Sequence, residues 1–166
     1  MSYLSGRMSA LAMAGALTVL AGCAGGDKPQ EPTPDIGMTQ PVGFKNVTEG
    51  YIVSYPQNWQ TQVEEEDTAM WQGERLPAEN VAVFNFVEDQ SREKKPLMAL
   101  AVYSQQQWDQ MKNDSKPLPE LVGTKGDRIL AAYIAPENPY DPASRQGQAY
   151  AKRVLTPTQI KNAIVW

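Results

Sequence analysis

The sequence predicts an α+β protein: an antiparallel β-sheet with helices packed on one face, preceded by a signal peptide and a disordered tether. Three observations point there. From Phe44 onward, apolar and aromatic residues recur at strand spacing. Helix-start signals occur at Ser104, Asp141 and Thr156, giving several strands, one short helix, another strand and two further helices. Before Phe44, an uncharged apolar run gives way to a proline- and glycine-rich stretch. The chain therefore divides into a leader (1–22), a segment of cysteine plus tether (23–43) and a single domain (44–166).

The leader carries Arg7, then an uncharged run from Met8 to Ala21. That run is shorter than the ~20 residues needed to span a bilayer and has the length of a signal-peptide apolar region. It ends in Leu20-Ala21-Gly22-Cys23. These four residues resemble the lipobox of bacterial lipoproteins, with Leu at −3, small residues at −2 and −1, and cysteine at +1. The resemblance implies cleavage between Gly22 and Cys23 and acylation of the Cys23 sulfur, with palmitate-like chains as the membrane anchor. At ~0.8 kcal/mol per buried methylene, two or three chains hold a protein on a membrane where one does not. Ala24 follows the cysteine. In a Gram-negative cell, the family resemblance then implies the outer membrane, facing the periplasm, since Asp is the usual inner-membrane retention residue.

The stretch from Ala24 to Pro41 holds four prolines and three glycines. It has too little apolar surface to offset the entropy of ordering. At ~3.1 Å per extended residue, it reaches roughly 55 Å from the bilayer.

In the domain, Val47–Pro56 places Tyr51, Val53 and Tyr55 on one face of a strand, and Asn58-Trp59 reads as a turn. Asn80–Glu88 places Val81, Val83 and Val87 on one face and Phe84 and Phe86 on the other. Leu97–Tyr103 is continuously apolar, as in a central strand, and Arg128–Ala135 reads as a strand or, from its alanines, a helix. Ser104 and Gln107 fit a capping box, flanked by a Tyr103/Trp108 hydrophobic staple. Thr156 and Gln159 repeat it, with Pro157 at the first helical position and a Leu155/Ile160 staple. Asp141-Pro142 is a third start, for a helix near 142–155 that must accommodate Gly147. Residues 50–59, Gly-Tyr-Ile-Val-Ser-Tyr-Pro-Gln-Asn-Trp, resemble the opening strand of the PsbP-like and DcrB-like small α/β sandwich proteins. That resemblance implies a non-enzymatic binding or assembly module.

Composition narrows the chemistry. The chain has no histidine and one cysteine, so Ser-His-Asp and Cys-His nucleophile systems lack their base and no intramolecular disulfide forms. Removing residues 1–22 takes away Arg7 alone, leaving 14 bases against 19 acids, a charge of −5. An acidic domain without a basic cluster is a poor nucleic-acid binder. Neither a cofactor nor a metal is expected.

Ser91-Arg-Glu-Lys94 has the serine–lysine spacing of penicillin-interacting enzymes but lacks the companion Ser-Asp-Asn and Lys-Thr-Gly motifs, so it reads as a solvated hairpin loop. Glu64-Glu-Glu-Asp67 lacks the ligand spacing of a calcium loop and reads as a solvated loop or strand end. Asn46-Val-Thr48 and Asn113-Asp-Ser115 match the glycosylation acceptor pattern by chance in a bacterial envelope. Trp59, Trp71, Trp108, Tyr133, Tyr140 and Tyr150 serve a core or its rim, or line a groove for sugar or peptide. Trp71, Trp108 and Tyr140 are the candidate ligand-binding residues.

The functional expectation is a lipid-anchored envelope module that binds another envelope protein or a cell-wall polymer without catalysis. The alternatives are a histidine-free hydrolase using two carboxylates in a pocket and a purely structural lipoprotein.

Overall fold

The structure, a computed structural model, describes residues 42–166; the leader, Gly22, Cys23 and the tether through residue 41 lie outside the described residues. In chain order the elements are β1 (Gly43–Lys45), β2 (Ile52–Ser54), a 3-10 turn (Gln57–Trp59), β3 (Val63–Asp67), β4 (Met70–Trp71), β5 (Glu74–Arg75), β6 (Asn80–Val87), β7 (Lys94–Ser104), α1 (Gln105–Asn113), β8 (Glu120–Lys125), β9 (Arg128–Ile134), α2 (Arg145–Ala151), α3 (Pro157–Ala163) and β10 (Ile164–Val165). The principal sheet has the order β3-β6-β7-β9-β8 with every neighbouring pair antiparallel. A smaller sheet has the order β1-β2-β10, and β4 and β5 form a separate hairpin. The α+β class follows as the sequence predicts.

The pleat of the principal sheet sends alternate residues to two faces, and both are covered. Phe84, Phe86, Leu100, Val102 and Leu130 face one core, closed by Tyr51, Val53, Trp59, Tyr150 and Ile160. Val81, Val83, Ala99, Ala101 and Ala131 face the other, closed by Trp71, Leu76 and Trp108. The helices are therefore split: α2 and α3 lie over the first core and α1 over the second, not together on the single face that the sequence predicts. The capping device explains the split. Tyr103 is sent to the second face by the pleat, and its staple partner Trp108 follows it, with ring centroids 6.1 Å apart. Burial of side chains this large contributes roughly 1.5–3 kcal/mol each.

Several boundaries move. β1 begins at Gly43, inside the stretch assigned to the tether, where Gly43 pairs with Ser54 of β2; a Cβ there would stand 2.3 Å from the Val53 carbonyl oxygen, so the close approach requires glycine. The strand expected from Val47 starts only at Ile52, since Asn46 to Gly50 form a turn: Gly50 is at φ +75° and the Glu49 amide donates to Asn46 Oδ1. Asn46 is 5% exposed, so the acceptor-like pattern at this position is a structural hub. Glu64–Asp67 is neither loop nor strand end but most of edge strand β3; acidic side chains on an edge discourage pairing with another chain. Arg128–Ala135 resolves as strand β9. β7 runs longer than Leu97–Tyr103 and carries an irregularity opposite Phe84/Asn85, so that Leu97 and Met98 both enter the first core. Pro96, which has no N–H for the ladder, lies beside that bulge.

Both capping boxes form, at Ser104/Gln107 and at Thr156/Gln159. α2 is shorter than 142–155. Its cap is Ser144, while Asp141 caps the preceding turn through its own carboxylate to the Ala143 amide. Ser91 and Arg92 occupy the β6–β7 hairpin loop as expected, with Ser91 donating to Glu88.

Candidate functional site

The strongest candidate is a groove on the second face, built around Tyr133 of β9. It begins with a floor of small residues. Ala99, Ala101 and Ala131 project no bulk from the central strands, which lets large aromatic rings lie close to the sheet. Tyr103 and Tyr133 stand on that floor, with their hydroxyl oxygens 2.7 Å apart. Burial, reinforced by this hydrogen bond, pushes the Tyr103 phenol far above its ordinary value, and burial also raises Tyr133. Both phenols stay protonated at physiological pH, so each can donate as well as accept a hydrogen bond.

Two elements rise from the floor as banks. The β4–β5 hairpin turns through Gln72 (φ 50°) and Gly73 (φ 85°), the two-residue turn with both central residues left-handed. It drops Trp71 onto Tyr133, centroids 6.2 Å apart. On the other side α1 is held by its cap, and Gln107 Nε2 also donates to the Pro77 carbonyl, tying the helix to the chain leaving β5. Trp108 and Met111 pack down from α1, and the segment 114–119 returns to β8.

Between the banks lies an open groove of about 330 Å³. Leu76, Met111, Pro117, Leu118 and Tyr133 supply apolar and aromatic surface; Glu74, Arg75, Asp114 and Lys116 supply charge at its margins. Lys116 Nζ sits 3.1 Å from Glu74, a pair exposed enough to be worth little to stability and free to re-pair with a ligand. A further shallow groove of about 340 Å³ flanks the other side of Pro117–Leu118–Pro119 and again reaches Tyr133. The arrangement is suited to holding an extended, partly apolar segment or a sugar ring by stacking and neutral hydrogen bonds.

The three residues singled out from sequence do not share a site. Trp71 and Trp108 are 7% and 8% exposed and form the underside of the second-face cluster. Tyr140 lies over the first core, edge-on to Phe86 and Tyr150, with its hydroxyl buried and without a hydrogen-bond partner. Trp59 and Tyr150 are core residues, Trp59 donating to the Arg153 carbonyl and Tyr150 to the Pro96 carbonyl. Tyr133 is the aromatic residue that both supports Trp71 and reaches the groove. Its neighbours Leu76, Met111 and Leu118 escape a linear reading, because nothing in it places residues 76, 111, 118 and 133 side by side.

Carboxylates are distributed differently. Glu65 and Asp67 share a face of β3, and burial followed by the charge of Asp67 holds Glu65 above the usual carboxylate range. Neither lines the groove at Tyr133. Glu64 pairs with Arg92 and Lys94 on the opposite side of the strand. Among the described residues no group of three or more acidic or thiol side chains converges to hold a metal ion, and no helix is long and apolar enough to cross a membrane.

No family model, curated protein or solved structure matches this chain.

Proposed function

We propose that this chain is a lipid-anchored, non-catalytic binding module of a bacterial envelope, taking an extended segment of another envelope protein or a cell-wall polymer into the groove at Tyr133. The observation that carries the anchor is Leu20-Ala21-Gly22-Cys23 at the end of the uncharged run that begins at Met8. What supports binding is the groove's make-up: the Tyr133 ring, prolines and aliphatic side chains along its walls and a loosely held ion pair at the margin. Its phenols are held neutral, and the acid with a raised pKa, Glu65, stands on the far edge strand. A histidine-free hydrolase needs two carboxylates in one concave site. Glu74 and Asp114, both at the margin of the Tyr133 groove, are the pair on which that second reading rests.

The two halves of the proposal are separately testable. Cys23→Ser should yield protein that carries no fatty acid; mass spectrometry of the membrane fraction finding the same acylated species in the variant would overturn the anchor. For the groove, a photo-crosslinking residue at Leu118 should capture a reproducible envelope partner, and Tyr133→Ala should abolish that adduct while leaving the protein folded. An adduct of equal yield in Tyr133→Ala would remove the groove from the interaction.

A further inference from the structure

A separate groove, of about 510 Å³, opens over α2 on the side of the first core, away from Tyr133. Its charge differs from that of the molecule. The described residues hold thirteen bases and sixteen acids, a net −3. The groove wall carries Arg145, Lys152 and Arg153 against one acid, Asp89, a net +2.

The three cations are also among those left without close partners. Arg92, Lys94, Lys95, Lys112, Lys116, Arg128 and Lys161 each have a carboxylate within 4.0 Å. Among the described residues Arg145, Lys152 and Arg153 have none, and only Lys45, Arg75 and Lys125 share that condition. Asp89 acts on Arg153 at longer range, and Glu88 stands beside Arg145 in an adjoining cleft, bonded to Gln146.

The chain holds this arrangement in place. Arg145, Gln148 and Lys152 lie three, four and seven positions apart, so they share one stripe along α2 and its cap. Asn58 Nδ2 donates to the Lys152 carbonyl and Trp59 Nε1 to the Arg153 carbonyl, fastening the end of α2 to the 3-10 turn. The Arg153 guanidinium lies 5.5 Å over the Phe86 ring and donates through Nη1 to the Ala149 carbonyl, while its Nε is buried without a partner. Burial pulls the Arg153 pKa below its ordinary value, the mark of a charge that lacks compensation. Like charges fixed on one wall repel, and an anion between them relieves both that repulsion and the desolvation of Arg153.

We propose that the groove over α2 binds a phosphate group, as a free phosphorylated ligand or as a phospholipid headgroup. Two guanidinium forks and an ammonium match an oxyanion, and Gln62 and Gln148 add neutral donors around it. The volume admits a substituted phosphate rather than the bare ion alone. The headgroup source rests on the lipid anchor of the preceding section, since the stretch from Ala24 to Pro41 spans no more than roughly 55 Å when extended and keeps the domain within reach of the bilayer. The free-ligand source is independent of the anchor.

The test uses the chain from residue 23 to 166 carrying Cys23→Ser, so that neither the apolar leader nor an acyl chain confounds membrane binding. Inorganic phosphate is titrated by calorimetry, and co-sedimentation is measured with phosphatidylcholine vesicles with and without phosphatidylglycerol. The expected result is binding of phosphate, of the anionic vesicles, or of both, weakened about tenfold by the double variant Arg145→Gln/Lys152→Gln. These two side chains are exposed at the wall, so the melting temperature of the double variant should be unchanged or higher. Phosphate binding without vesicle binding assigns a soluble ligand, and vesicle binding that requires phosphatidylglycerol assigns the headgroup. Absence of both in the parent protein, or equal binding by the double variant, overturns the proposal. Failure of acylation at Cys23 would sink the anchor and leave the phosphate titration standing.

Discussion

Gly147 shows how much a single position can demand. It lies in the first turns of α2, where glycine ordinarily weakens a helix by up to ~1 kcal/mol relative to alanine. Here a Cβ would stand 2.0 Å from the Asp141 carbonyl oxygen and 2.8 Å from its carbon, and Asn138 Nδ2 reaches the Gly147 carbonyl. Backbone meets backbone, so nothing flexible can give way. Gly147→Ala should therefore destabilise by ~2–4 kcal/mol despite its better helix propensity, read as a lower urea midpoint. A midpoint equal to or above the parent's would show that the chain 138–143 moves aside freely. The sequence marks Gly147 as a residue that a helix must accommodate, yet it hides the reason, which is the return of 138–143 against the helix. The same holds for Tyr133. Its chemistry is visible in the sequence, but its place at the groove depends on the β4–β5 hairpin, far earlier in the chain.

At the level of elements, β3 is the least expected and the most informative. Four consecutive acids give no apolar alternation, so a sequence reading misses a strand whose partner, β6, is buried on both faces. Pairing to β6 overrides local preference. The strand then sorts its acids: Glu64 and Glu66 lie within 4.0 Å of Lys94, while Glu65 and Asp67 turn to the other side. Burial, with Asp67 two residues on, holds Glu65 above the usual carboxylate range. A carboxyl with a raised folded pKa takes its proton more readily in the folded than in the unfolded chain, so ionising it works against folding. The penalty is present at neutral pH and fades as pH falls through the folded value toward the unfolded one. Glu65→Gln should raise the urea midpoint at about pH 7.5 and leave it near the parent's at about pH 3.5. An equal gain at both values would mean that the benefit comes from strand propensity and not from charge. By contrast, α1 and α3 are legible in advance because a capping box is local: Ser104 with Gln107, and Thr156 with Gln159, need nothing from the rest of the chain.

At the scale of the whole domain, one sheet serves two cores. β6, β7 and β9 give alternate residues to each, so neither core persists if the sheet opens. The alternation is readable in Val81, Val83, Phe84 and Phe86, but the layer closing each face is not. That layer is assembled from segments far apart in sequence: Tyr51 with Tyr150 and Ile160, or Trp71 with Trp108. The last residues of the chain fasten the first of these layers. β10 pairs with β2, and Trp166 donates through Nε1 to the Glu49 carbonyl while packing against the first core. Glu49 in turn is held by Arg128 of β9, which also meets Glu79. Removing residues 164–166 takes away a strand pairing, a tryptophan and the bond on the turn that positions Glu49. The loss should be ~3–5 kcal/mol, close to that of deleting a large core side chain. It should also appear as a single cooperative transition at lower temperature, because the two cores share their strands. Near-ultraviolet circular dichroism, which follows the aromatic packing, and far-ultraviolet dichroism, which follows the sheet, should therefore melt together in the truncated chain. Two separated transitions would show that the layer over the first core, with β1, β2 and α3, loosens as its own unit while the sheet and the Tyr133 groove stay formed.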